Sequence, residues 1–266
     1  MRCNVHAGHN PDNLKACGAI GLIKESTEAR KVKDEVIRLL KANGDTVYDC
    51  TVNDGKSATD VLNKIVSKTK RNRVDLDISI HFNSGVNDKK GDGKTTGVEV
   101  LVFRNSGLAG EKAKSVCNSI SSLGLKNRGV KIRQDLAVLK RTVAPAILIE
   151  CCFVDDYDDC KKYDYKSMAK AIVEGITGKK IAGNSTSNTS RSYKNGDYNR
   201  KGKVVATNGT GLNVRAERSG SSQKVTNLKE GTVIEVSYCL NNWFSTYDYK
   251  HNGKPCYVCG SYIEFI

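Results

Sequence analysis

The stretch Asp75-Leu76-Asp77-Ile78-Ser79-Ile80-His81-Phe82-Asn83 decides how the fold of this chain is interpreted. Its apolar residues occupy every second position, a period of two that is typical of a β-strand with one face in a core. A polar stretch rich in glycine and lysine follows over residues 84–96 and predicts a loop. Because α/β proteins place their chemistry at the carboxyl ends of buried strands, His81 is the first candidate functional residue.

Strand and helix patterns alternate on both sides of this segment. Apolar residues at helical spacing predict helices over about 27–43, 58–70, 108–123 and 165–177. Short apolar runs predict further strands, at Arg2–His6, Thr46–Cys50, Val98–Phe103, Leu136–Leu139 and Pro145–Ile149. Ser26 or Thr27 is predicted to cap the first helix. This alternation predicts an α/β domain over 1–178, with a mainly parallel sheet flanked by helices.

The chain changes character after residue 178. Residues 179–200 are polar and rich in serine, threonine and asparagine, which predicts a linker. Over 201–266 the helical pattern disappears, and short alternating runs between glycine and asparagine turns predict a small all-β barrel. We predict Trp243 to lie in the core of this domain, with stacking on sugar or peptide as the alternative.

Composition limits the possible partners and compartments. The 266 residues carry a formal net charge of +14, which predicts attraction to polyanions such as nucleic acid, anionic membranes or an acidic cell wall. No apolar run approaches the roughly 18 residues that span a bilayer. The first predicted strand begins almost at Met1 and leaves no room for a signal peptide, so we expect synthesis in the cytoplasm.

The ten cysteines are scattered along the chain, and we expect reduced, mostly buried thiols instead of a disulfide framework. One alternative is a structural zinc site in the second domain. Its ligands would be Cys239, His251, Cys256 and Cys259.

Three residues with metal-binding side chains stand where a predicted strand or helix meets a loop. His9 follows the first strand, Glu25 precedes the first helix, and His81 ends the central strand. A hydrolytic zinc ion needs about three protein ligands and one open position for water, and these three residues can converge on one edge of a parallel sheet. Alternatively, the histidines are ordinary surface residues and Glu25 is an acid favoured by the helix dipole.

Glu150 follows directly after the apolar run Pro145–Ile149, as expected at the end of a strand covered on both faces. A carboxylate there is partly desolvated unless it has a partner, so its pKa should be raised. Such a group beside a zinc-bound water would act as general base and then as general acid. The alternative is an ion pair with Lys140 or Arg141.

Five segments together resemble, in the right order over about residues 1–178, the zinc-dependent N-acetylmuramoyl-L-alanine amidases of the Amidase_3 type. They are His6-Ala7-Gly8-His9-Asn10, Glu25, Asp77-Ile78-Ser79-Ile80-His81-Phe82-Asn83, Arg128-Gly129-Val130-Lys131 and Pro145-Ala146-Ile147-Leu148-Ile149-Glu150. The resemblance implies that His9, Glu25 and His81 hold Zn²⁺. It also implies that Glu150 is catalytic and that the bond cleaved joins N-acetylmuramic acid to L-alanine. His6 stands where the family usually has aspartate, and we expect it to be structural.

The second domain resembles a bacterial SH3-like wall-binding domain. The segments that carry this resemblance are Gly211-Leu212-Asn213-Val214-Arg215, Leu228-Lys229-Glu230-Gly231-Thr232-Val233 and Asn242-Trp243. An amidase with such a domain is similar to phage and prophage endolysins of clostridia. The resemblance implies peptidoglycan and anionic wall polymers as partners, and wall lysis after release through a holin pore. A host autolysin of the same activity is the alternative.

Three other functions stay open on the sequence alone. The basic run Lys68–Arg73 would suit nucleic-acid binding, although a solvated helix end is the favoured interpretation. A cysteine-dependent hydrolase would use Cys151 or Cys152, neither of which has an obvious histidine partner. A non-catalytic wall-binding protein would share the resemblance without the activity.

Overall fold

A computed structural model describes residues 1–181, 191–205, 211–220 and 222–266 of the protein. The chain divides into two compact units, Met1–Ile181 and Ala182–Ile266. Residues 182–190 of the predicted linker lie outside the described residues. In the described part of the chain, no helix is long and apolar enough to cross a bilayer.

The first unit is a six-stranded sheet covered by helices on both faces. Its strands are β1 (Arg2–Ala7), β2 (Thr46–Asp49), β3 (Leu76–Asn83), β4 (Val98–Val102), β5 (Asn127–Ile132) and β6 (Ala146–Phe153). Its helices are α1 (Glu25–Ala42), α2 (Ala58–Thr69), α3 (Gly107–Ser121), α4 (Ala137–Arg141), α5 (Tyr157–Lys162) and α6 (Tyr165–Thr177). Helices α1, α3 and α6 pack over the main apolar core, and α2 and α4 cover a smaller cluster.

The strand order is β2-β1-β3-β6-β4-β5, and the sheet is mixed. Strands β1, β2, β3 and β6 are parallel, but β4 pairs with β6 in the antiparallel direction and β5 follows β4. The sheet is mainly parallel, as predicted, but the sequence analysis does not anticipate that β4 and β5 run opposite to the other four strands. The chain between β3 and β4 contains no crossover helix, so it returns in the opposite direction.

One predicted strand of this unit is wrong, and one strand of the structure is not predicted. Residues Leu136–Leu139 do not form a strand, because they lead into the short helix α4. The strand at this edge of the sheet is β5, which the sequence analysis does not predict. None of its residues is fully buried, and an edge strand without a buried face lacks the alternating pattern by which strands are recognised.

The first helix begins two residues earlier than predicted. Lys24 is its N-cap and makes no side-chain capping bond, whereas the two predicted caps, Ser26 and Thr27, lie inside the helix. The Ser26 hydroxyl is buried without a hydrogen-bond partner. Tertiary contacts of Glu25, described below, fix this helix start in place of a side-chain cap.

The second unit is an antiparallel sheet with its own apolar core. Its strands are β7 (Gly196–Val204), β8 (Leu212–Arg215), β9 (Lys224–Leu228), β10 (Val233–Leu240), β11 (Trp243–His251), β12 (Lys254–Cys259) and β13 (Ile263–Phe265). Strand β7 begins inside the stretch predicted as linker. Phe244 is fully buried in this core, whereas Trp243, predicted as core, is half-buried and faces away from it. Successive residues of a strand point to opposite faces, so only one of the two enters the core.

Candidate active site

His9, Glu25 and His81 lie together at one edge of the sheet. The carboxylate oxygen Oε1 of Glu25 is 3.2 Å from Nε2 of His9 and 3.0 Å from Nδ1 of His81. The two imidazole rings meet edge to face, with 4.9 Å between their centroids. One potential ligand atom from each residue lies within 4.8 Å of the other two. This donor set suits a divalent transition metal such as zinc.

Two glycines make room for this cluster. The Gly8 N–H donates to the carbonyl of Ile80, so Gly8 extends β1 beside His81. A Cβ at Gly8 would lie only 1.8 Å from Cε1 of the His81 ring. A Cβ at Gly18, whose φ is +81°, would lie 2.5 Å from the Glu25 carboxylate. The imidazole and the carboxylate therefore occupy space that only glycine leaves free.

Glu25 is held by the backbone as well as by the histidines. The N–H of Ala19 donates to its Oε2 at 2.8 Å, and the N–H of Phe82 donates to its Oε1 at 3.2 Å. Burial alone would raise the pKa of Glu25, but hydrogen bonds with His81 and His9 outweigh it and hold that pKa well below its usual range. Burial lowers the pKa of His81, which favours the neutral imidazole that binds metals.

Glu150 lies one strand away from His81. The register pairs it with His81 on β3 and with Glu99 on β4, so Glu150 sits inside β6, not after the strand as predicted. Its Oε2 is buried and has no hydrogen-bond partner, so the ion pair with Lys140 or Arg141 considered above is not formed. Burial raises its pKa to about 8, and the negative charges of Glu25 and Glu99 add to this effect.

This buried acid should make stability depend on pH when no metal is bound. Because the folded-state pKa is raised to about 8 from its ordinary value of 4.5, the folded state binds the extra proton and loses stability as pH rises between these values. Without metal, the free energy of unfolding of Glu150→Gln should therefore exceed that of the parent by a few kcal/mol at pH 9 and equal it at pH 4. Urea unfolding at the two pH values measures this difference. Glu111→Gln, which changes an exposed carboxylate, is the control. A difference between Glu150→Gln and the parent that does not vary with pH would contradict the assignment.

Three further polar residues form a hydrogen-bonded group on the strands near Glu150. Glu99 accepts hydrogen bonds from Asn83 at 2.9 Å and from Arg128 at 2.8 Å. Asn83 and Arg128 belong to the segments that carry the family resemblance, but sequence reasoning gives neither a role and does not single out Glu99. A charged residue inside the apolar strand β4 is the signal that would have found it, as it did for Glu150.

The other residues considered from the sequence lie outside this cluster. His6 is fully buried, and burial lowers its pKa to about 3, which agrees with the structural role expected of it. Cys151 and Cys152 are also fully buried, and burial raises the pKa of both thiols well above the usual range. These thiols are thus inaccessible and protonated, which argues against a cysteine nucleophile.

All ten cysteines are free thiols, as expected. Among the described residues, the sets of side chains close enough to share a metal do not include Cys239, His251, Cys256 and Cys259. The structure therefore gives no support to the zinc site considered for the second domain. The acidic group Asp88, Asp156 and Asp158 is close enough, but backbone N–H groups already donate to all three carboxylates.

Comparisons with known proteins agree on one family. The sequence model of Amidase_3, N-acetylmuramoyl-L-alanine amidase, matches residues 4–178. An uncharacterized protein of Clostridium perfringens is 36% identical over 188 residues, which cover 69% of this chain and 54% of that protein. The endolysin of Bacillus phage SPP1 is 27% identical over 178 residues, which cover 64% of this chain and 61% of the relative. The chain thus spans only about half to three fifths of the length of these two relatives.

A solved structure shares the fold of the first unit. The catalytic domain of the CD27L endolysin targeting Clostridia Difficile superposes with a TM-score of 0.60 at 27% identity, covering 68% of this chain and 99% of that domain. The matched family segment contains the sheet except for the first two residues of β1, and it contains His9, Glu25, His81 and Glu150. The chain therefore belongs to the Amidase_3 family of N-acetylmuramoyl-L-alanine amidases.

Proposed function

We propose that the unit Met1–Ile181 is a zinc-dependent peptidoglycan hydrolase, which cleaves the amide between N-acetylmuramic acid and the L-alanine of the stem peptide. The observation that carries this proposal is the Glu150 carboxyl group, which lies one strand from His81 and whose Oε2 is buried without a hydrogen-bond partner. Burying an unpaired carboxyl oxygen costs free energy on folding, and such groups are typical of catalytic acids and bases. Family membership supports the choice of bond.

The residues present fit a zinc ion. Two imidazoles and one carboxylate form the His₂Glu donor set of hydrolytic zinc sites, which leaves a further position for water or substrate. His9, Glu25 and His81 would hold the ion. Bound there, zinc would polarise the scissile carbonyl and lower the pKa of its water.

The protein's own residues supply the remaining steps. Backbone N–H groups of Ala19 and Phe82 fix the Glu25 carboxylate, so the two imidazoles are oriented before substrate arrives. Glu150 lies one strand from His81, and its carboxylate would take a proton from the attacking water. The same carboxyl group then donates that proton to the leaving alanine nitrogen.

Removal of the metal tests this proposal. Chelator treatment should abolish clearing of purified cell walls, and one equivalent of Zn²⁺ should restore it, while thiol alkylation should have no effect because Cys151 and Cys152 are buried. Lysis that survives complete zinc removal, or is lost on alkylation, would contradict the proposal. Wall binding without lysis under any metal condition would favour the non-catalytic alternative, and a gel shift with DNA without lysis would favour nucleic-acid binding.

We propose that the second unit, predicted over 201–266, is an SH3-like domain that binds peptidoglycan and anionic wall polymers. The antiparallel strands, the separate apolar core and the exposed Tyr238, Tyr247 and Tyr262 support this proposal. The net charge of +14 would favour encounter with a polyanionic wall. Together the units suit an endolysin that acts at the bacterial cell wall, with a host autolysin as the alternative.

A further inference from the structure

Arg128 is held rigidly beside the candidate active site. Its Nε donates to Oε2 of Glu99 at 2.8 Å, and its guanidinium carbon lies 5.0 Å from the centre of the Phe153 ring. Asn83 donates to the other oxygen of Glu99, so the Glu99 carboxylate is fixed from both sides. These contacts orient the guanidinium at little further entropic cost on binding.

The outer part of this guanidinium is free to bind. No described residue accepts a hydrogen bond from Nη1 or Nη2 of Arg128, and the side chain is 32% exposed. Arg133, a second arginine near this edge whose charge acts on Glu150, is already occupied by an ion pair with Asp135, through two hydrogen bonds of 2.7 and 2.9 Å. Arg128 is therefore the better placed of the two cations to receive an anion.

The distance between Arg128 and Glu150 limits which anionic group of a substrate Arg128 could bind. Glu99 lies directly across from Glu150 on the neighbouring strand, and Arg128 lies on the strand beyond it. The Arg128 side chain reaches back to Glu99, so its guanidinium lies between one and two strand spacings, roughly 5 to 10 Å, from Glu150. An extended peptide covers about 7 Å in two residues, which falls within this range. A carboxylate on the second residue after the scissile amide falls at this distance.

We propose that Arg128 is a specificity-determining residue that binds the free α-carboxylate of the second stem-peptide residue through Nη1 and Nη2. A guanidinium offers a planar fork that matches a carboxylate in a two-bond arrangement. Glu99 and Asn83 act as positioning residues for that fork. The inference rests on the proposed amidase function, since it names the part of the substrate that meets this side of the site.

Two matched muropeptides test the inference with zinc-loaded full-length protein. They differ only in that the α-carboxyl group of the second stem residue is free in one and amidated in the other. The parent should cleave the free form with a kcat/KM about 10- to 100-fold higher. Arg128→Gln should reduce this ratio to about one by losing activity on the free form, and Arg128→Lys should keep part of it. Arg104→Gln, which removes another arginine stacked on a phenylalanine, should leave the ratio unchanged.

The ratio separates recognition from a structural role. Equal cleavage of both peptides by the parent, an unchanged ratio in Arg128→Gln, or an equal loss on both peptides would overturn the inference while leaving the proposed function intact. Cleavage of neither peptide by the zinc-loaded parent would contradict the proposed function itself and the inference with it. Zinc content and circular dichroism, measured on each variant, show that the site and fold persist.

Discussion

Glu150→Gln is expected to lower amide hydrolysis by about 10²- to 10⁴-fold while zinc content stays at that of the parent. Glutamine keeps the shape of the side chain but neither accepts the proton of the attacking water nor returns it to the leaving nitrogen. Glu150 is paired with His81 across neighbouring strands but does not belong to the group of potential ligands, so His9, Glu25 and His81 should still hold zinc.

Release of soluble fragments from purified walls and elemental analysis give the two measurements for this variant. Glu111→Gln is the matched control, because it changes an exposed carboxylate on helix α3, and it should behave as the parent. Full hydrolytic activity in Glu150→Gln would remove Glu150 from the mechanism. Loss of zinc together with activity would instead place this carboxyl group among the metal ligands.

Gly8→Ala is expected to remove zinc and activity although it changes no ligand. The new Cβ would lie 1.8 Å from Cε1 and 1.9 Å from Nε2 of His81, so the ring must leave its position beside Glu25. Zinc affinity should fall by at least the roughly 10- to 100-fold that follows loss of a residue orienting a metal ligand. The variant should therefore resemble His81→Ala.

Zinc content after dialysis against a metal buffer measures this effect. Gly220→Ala is the control, because a Cβ there meets nothing within 4 Å and its φ is one that alanine adopts. Parent-like zinc content in Gly8→Ala would show that the His81 ring does not need the space above Gly8. That result would contradict the geometry described here for the metal site.

The residues that come together are largely predictable because their chemical types are rare and their positions regular. The chain has four histidines, and His9 and His81 both stand near the end of an apolar segment on one edge of the sheet. Glu150 stands out because acidic residues seldom occur within an apolar strand unless they are paired or functional. Their roles as ligands and as catalytic group remain proposals that the variants above test.

The surroundings of these residues are much less visible in the sequence. Relative to β3, strand β6 carries one extra residue between Glu150 and Phe153, because His81 pairs with Glu150 and Asn83 with Phe153. A similar shift in β5 occurs near Gly129, whose φ is +78°. Such bulges re-aim side chains without a marked change in composition. This is why the placement of Arg128 against Glu99 and Phe153 could not be anticipated.

The elements of the fold also differ in how well the sequence predicts them. Long amphipathic segments such as α1 and α6 carry enough periodic residues to be recognised within a few positions. The reversal of β4 and the edge strand β5 depend on pairings between distant segments, and short exposed elements leave no periodic pattern. Helix starts set by tertiary contacts, as at Glu25, likewise escape rules based on capping residues.

Mass analysis of cell-wall fragments released by the zinc-loaded protein tests the central claim most directly. We expect new amino-terminal L-alanine on the released stem peptides, intact glycan strands without new reducing ends, and neither product from Glu150→Gln. New reducing sugar ends, or new amino termini within the stem peptide or its cross-bridge, would contradict the assignment of the bond. They would also require a different reaction for the site that His9, Glu25, His81 and Glu150 form.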